Sequence, residues 1–74
     1  MPNNLIKPAI QVLYNFTDTT QGVDKAEILR IFGISKNYKP EEMLEMLLEN
    51  SYLSSPDDNG LYFITQSGLD LIRA

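Results

Sequence analysis

The sequence predicts an α+β fold that is mostly helical, and three observations carry that expectation. Apolar residues recur at spacings of three and four along successive stretches, which places a single buried stripe on each of several helices. Two short apolar runs, "YL" and "LYFIT", flank "SSPDDNG", and that pattern is strand, turn, strand. A final apolar set follows directly after Thr65. The expected order is helix, helix, helix, hairpin, helix, in one domain spanning residues 1 to 74.

In the first helix the stripe is Leu5, Ile6, Ala9, Ile10, Leu13 and Phe16. Pro8 fits only in a first turn, where its missing N–H costs little. The helix is therefore expected to begin around Lys7 and to end before "TDTTQG" at 17 to 22, which is turn-forming.

For the second helix, Asp24 is the expected N-cap, and Glu27 three residues later completes a pair like a capping box. Ala26, Ile28, Leu29, Ile31 and Phe32 supply its apolar face, with Gly33 as C-cap. "ISKNYK" then leads to Pro40, placed as the first residue of a third helix running to about Asn50. Met43, Leu44, Leu47 and Leu48 fall on one arc of that helix, while Glu41, Glu42, Glu45 and Glu49 fall on the other. The two glutamates nearest Pro40 lie in the first turn, where the helix dipole favours carboxylates.

"YL" opens the hairpin, and in "PDDNG" the pair Asn59-Gly60 is suited to positive φ. "LYFIT" returns, and Thr65 caps a short last helix containing Leu69, Leu71 and Ile72. A short extended piece near Gln21 to Val23 is positioned to pair with the hairpin as a third strand.

The totals bound the rest. A chain of 74 residues buries one modest core, and at this size disulfides, a metal or a partner surface often supplement it. Cysteine and histidine are both absent, which removes disulfides and the usual zinc ligands and leaves association, for instance as a homodimer. No apolar run approaches the roughly 20 residues of a membrane span, and the N-terminus lacks the basic and apolar regions of a signal peptide. The expectation is a soluble cytoplasmic protein without a cofactor. Ten acidic and six basic residues give a net charge of −4, a balance that slows encounter with any polyanion.

The order of elements, with "AEILRIFGIS", "MLEMLLENSYL" and "LYFITQSGLDLI", resembles the winged helix-turn-helix family. Many members leave the wing through an aromatic, a Leu or Ile, a Thr, two variable residues and a Gly; Tyr62, Ile64, Thr65 and Gly68 stand in those places. "ENSYL" is similar to the family's passage from third helix to strand. One departure is the turn before Pro40, longer by several residues than in typical relatives. The resemblance implies a single winged-helix domain whose third helix enters the major groove while the wing touches the DNA backbone or minor groove.

Charge speaks against that role. Affinity for DNA comes largely from cations that neutralise phosphates, yet Pro40 to Ile72 contains no Lys or Arg. Glu41, Glu42, Glu45, Glu49, Asp57 and Asp58 occupy the elements that would hold the duplex. Two readings follow. In the favoured one, these six carboxylates meet a basic protein surface, giving on-rate and specificity more than raw affinity. In the alternative, a dimeric transcriptional regulator binds DNA through Lys36, Tyr38 and Lys39 in the long turn, aided by Lys25 and Arg30 on the second helix.

Simpler readings exist for the same residues. A glutamate stripe is commonly just a solvated face, and Asp57 and Asp58 are suited to turn formation. "DDNG" lacks the alternating ligand series and terminal Glu of a calcium loop. Without His or Cys the usual general base and the strongest nucleophile are missing, and no phosphate-cradling glycine loop is present, so a non-enzymatic protein is expected.

Overall fold

A computed structural model describes residues 5–17, 20–34 and 39–73. The described elements are α1 (Ile6–Phe16), β1 (Val23–Asp24), α2 (Lys25–Ile34), α3 (Pro40–Glu49), β2 (Leu61–Tyr62) and α4 (Gln66–Arg73). Together they form a small, mostly helical α+β fold in which β1 and β2 pair as a two-stranded antiparallel sheet.

Helix α1 begins at Ile6, with Leu5 as an N-cap that makes no side-chain capping bond. Pro8 is thus the third helical residue, where its nitrogen would have had no helical partner. Ile6, Ala9, Ile10 and Leu13 are buried, as the stripe requires. Phe16 departs from expectation: it lies at the edge of the stripe, on the last turn, and is 61% exposed. The chain then turns extended at Thr17, whose hydroxyl donates to the Leu13 carbonyl at 2.8 Å.

The extended piece expected near Gln21 to Val23 forms β1 slightly later, at Val23–Asp24. Gly22, at φ 76°, precedes it and lies under the Phe63 ring, which a Cβ there would approach to 2.8 Å. Val23 pairs with Tyr62 and Asp24 with Leu61.

Asp24 caps α2 as expected, its Oδ1 accepting from the Glu27 amide at 2.8 Å. Glu27 does not return the bond. Its carboxylate instead reaches forward one turn to Arg30, so only half of the expected capping box forms. Ile28, Ile31 and Phe32 are buried, whereas Ala26, expected on the apolar face, is exposed. Gly33 is not a left-handed cap: the helix continues through it to Ile34, and the positive-φ glycines are Gly22 and Gly60.

Helix α3 closes in a tight hydrogen-bonded exit. The Tyr52 amide donates to the Leu47 carbonyl at 2.9 Å and the Ser51 amide to the Leu48 carbonyl at 3.1 Å, which is the Schellman pattern. The left-handed residue this pattern needs is Ser51, at φ 61°. The chain then enters the hairpin. Leu53 bridges Ile64, Ser54 N–H donates to Phe63 O at 2.9 Å, and Thr65 N–H donates to Tyr52 O at 3.1 Å. The returning arm therefore has β1 on one side and the Leu53 arm on the other, although regular strand geometry is confined to Leu61–Tyr62 rather than the expected 61 to 65.

At the tip the Gly60 amide donates to the Asp57 carbonyl at 2.9 Å and the Asp57 amide to the Leu61 carbonyl at 3.1 Å. Gly60 has φ 77°, while Asp58 and Asn59 do not have positive φ. This is a type I turn followed by a left-handed glycine, so the positive φ expected of Asn59 belongs to Gly60 alone.

The core lies where the three long helices and the hairpin meet. Phe32, Ile10, Leu13, Ile28, Ile31, Met43 and Leu47 are its largest fully buried side chains, with Leu53 and Tyr62 contributed from the hairpin side. Burying one such side chain contributes about 1.5–3 kcal/mol. Helix α2 packs on α3, and α1 touches α2, α3 and α4. No described polar or charged residue is buried.

Candidate interaction surface

The carboxylate face is built by the way α3 starts. Lys39 is held extended, at φ −96° and ψ 109°, as a residue before proline prefers. Pro40 then opens the helix, and the Met43 amide closes its first turn on the Lys39 carbonyl at 2.9 Å. With Met43, Leu44 and Leu47 fixed inward by burial, the helical repeat leaves Glu41, Glu42, Glu45 and Glu49 outward, and all four are exposed.

Glu41, Glu45 and Glu49 follow one another at single-turn intervals, a row about 12 Å long at 1.5 Å per residue. Like charges at this spacing cost the helix a few tenths of a kcal/mol per pair. Among the described residues no ion pair offsets them. The row spends helix stability to keep its charge.

At the hairpin tip the two aspartates differ. Asp57 Oδ1 accepts from the Asn59 amide at 2.8 Å and from the Leu61 amide at 3.0 Å, so Asp57 holds the turn together. Asp58 is exposed at the first central position of the turn. Of the six carboxylates expected at an interface, Asp57 is the one with an evident structural task.

The cations have a different distribution. Lys25 and Lys39 are exposed, while Lys36 and Tyr38 lie outside the described residues. Arg30 is exposed too, but both carboxylate oxygens of Glu27 engage its guanidinium. The hydrogen bond from Arg30 holds the Glu27 carboxyl below its ordinary value; burial opposes this, and the guanidinium charge adds to the lowering. The spacing of three between Glu27 and Arg30 was the available sequence signal for this pair. Its formation lowers the charge that Arg30 offers a phosphate.

A shallow cleft of about 160 Å³ is lined by Ile6, Lys7, Asn50, Tyr52 and Leu71. No local pattern announces it, because its walls come from three different parts of the chain. It is well below the roughly 300–1,000 Å³ of ordinary small-molecule sites. Among the described residues no group of three or more acidic side chains is gathered as metal ligands would be, and no helix is long and apolar enough to cross a membrane.

No protein-family model matches the chain, and neither does any curated protein or solved structure. The surface is therefore read from its own chemistry.

Proposed function

We propose that this chain is a non-enzymatic winged-helix module that acts by protein–protein interaction, presenting the carboxylates of α3 and of the hairpin tip to a basic partner surface. The winged-helix part of the reading draws support from three helices preceding a hairpin whose returning arm runs between β1 and the Leu53 arm. The observation that carries the functional part is the row Glu41, Glu45 and Glu49, exposed and without an ion pair to any described residue. Such a row steers a basic surface into register during encounter and discriminates against acidic competitors.

Reversing the charge tests this. Parent chain and the double variant Glu41→Lys with Glu45→Lys are used as baits for capture from lysate, with retained proteins quantified by mass spectrometry. The expected outcome is loss of basic partners from the variant while its circular dichroism and denaturation midpoint stay near the parent's. Unchanged capture by a folded variant overturns the role of this face.

A further inference from the structure

The turn at the hairpin tip places an asparagine directly before a glycine, and Asn59-Gly60 is the sole Asn-Gly step in the sequence. Both residues are exposed, and nothing lies within 4 Å of where a Gly60 Cβ would stand. Residue 60 thus brings no side chain of its own to crowd its nitrogen, and the space where one would stand is open. The other described asparagines are placed differently. Asn15 Oδ1 accepts from Gln11 at 3.1 Å and Asn50 Nδ2 donates to the Met46 carbonyl at 2.8 Å; Phe16 and Ser51, which follow them, carry a Cβ.

We propose that Asn59 is a self-modifying site, converting to aspartate or isoaspartate through a cyclic imide, and that the Asp57 carboxylate restrains the conversion by holding the turn closed. In the first step the Gly60 backbone nitrogen attacks Asn59 Cγ. A C–N bond forms, the nitrogen loses its proton, and the side-chain amide departs as ammonia. Water then adds to one of the two imide carbonyls and reopens the ring. Hydrolysis at one carbonyl gives aspartate; at the other it gives isoaspartate, whose backbone is longer by one carbon. Ammonia leaves, water enters, and no oxidant or reductant takes part.

The restraint follows from the hydrogen bonds. The attacking nitrogen donates its proton to the Asp57 carbonyl at 2.9 Å, which occupies the group that must be deprotonated. On either side of it, the Asn59 and Leu61 amides are held by Asp57 Oδ1 at 2.8 and 3.0 Å. Ring closure requires the chain to rotate out of this arrangement, so it proceeds from the locally opened hairpin. Each conversion to aspartate adds a carboxylate beside Asp57 and Asp58, and each isoaspartate breaks the spacing on which the turn depends. The inference stands on the turn and is independent of any partner for α3.

The test is incubation of the full chain at mildly alkaline pH, with peptide mapping by mass spectrometry to follow the amide-to-acid mass gain at each asparagine. In denaturant, Asn59 is expected to convert ahead of every other asparagine; conversion there at the same rate as the rest overturns the site. The folded chain is expected to convert more slowly than the denatured one, and equal rates overturn the restraint. Asp57→Ala is expected to speed conversion in buffer about tenfold, the factor for about 1.4 kcal/mol of lost net hydrogen bonding. Asp57→Ser keeps an acceptor oxygen and is expected to fall between Asp57→Ala and the parent, which separates loss of the clamp from loss of the fold. An unchanged rate in Asp57→Ala overturns the role of the carboxylate.

Discussion

The Thr65 hydroxyl donates to the Ser51 carbonyl at 2.6 Å across fourteen residues of chain. The same oxygen accepts from the Gly68 amide at 3.1 Å. One side chain thereby caps α4 and ties its start to the exit of α3, so the hairpin between them is closed at its base as well as at its tip.

Thr65→Val keeps the shape of the side chain and removes both bonds. The loss of a helix cap together with an unpaired carbonyl is expected to cost about 2 kcal/mol. Thr65→Ser keeps the oxygen and should lose much less. Urea denaturation with an unchanged slope measures both, and a parental midpoint for Thr65→Val would show that the hydroxyl bridges nothing of consequence.

Ser51 holds a left-handed backbone conformation, at φ 61°, without the freedom of glycine. A left-handed L-residue costs roughly 1–2 kcal/mol, while glycine carries about 0.5–1 kcal/mol of extra unfolded-state entropy. The difference favours glycine. Ser51→Gly retains the carbonyl that Thr65 uses and is expected to stabilise the fold by about 0.5–1 kcal/mol, a rise of about 4–8 °C in Tm per kcal/mol for a domain of this size. A fall in Tm would mean that the serine side chain supports this turn.

Gly68 gives the opposite sign. In an ordinary helix Gly→Ala stabilises by about 1 kcal/mol. Here a Cβ would stand 2.7 Å from the Tyr52 carbonyl oxygen and 2.8 Å from Ile64 Cγ2, and neither backbone nor a packed branched side chain gives way easily. Gly68→Ala is expected to destabilise by about 1–3 kcal/mol. A stabilised variant would show that α4 does not approach the hairpin so closely.

What the sequence revealed, and what it concealed, follows from the range of the forces involved. The buried stripe of α1, the Asp24 and Thr65 caps and the start of α3 at Pro40 are set by residues within one or two turns of each other, so local pattern sufficed. Gly68 stood out only as one position of the family resemblance, and the atoms it must clear, the Tyr52 carbonyl oxygen and Ile64 Cγ2, come together only in the folded hairpin. Gly33 was misleading for the complementary reason: a glycine at a plausible stop does not end a helix unless the backbone turns left-handed, and α2 runs on to Ile34. Glu27 had two partners at equivalent spacing, and the charged Arg30 won over the Asp24 amide. The left-handed Ser51 carried no signal, since nothing in serine asks for that conformation. At the candidate site, the outward glutamates were readable from the helical repeat, whereas the separate task of Asp57 depends on hydrogen bonds that only the folded turn displays.

Binding to mixed-sequence duplex DNA distinguishes the interaction reading from a regulatory one. The parent, with a net charge of −4, exposes carboxylates on α3, and its Arg30 is engaged by Glu27. Fluorescence anisotropy is therefore expected to show no binding even at low salt. Each Glu→Lys exchange adds two units of charge, so Glu41→Lys with Glu45→Lys brings the net charge from −4 to zero and puts cations on the helix that the winged-helix reading assigns to the groove. That variant is expected to gain weak affinity that falls steeply with added salt, as counterion release demands. Salt-dependent binding by the parent would instead move the duplex to first place as the partner, with Lys25 and Lys39 as the first cations to replace. Affinity in neither protein would leave the partner-capture result to decide the role of the acidic face, and would remove DNA from consideration for this helix whatever its arrangement.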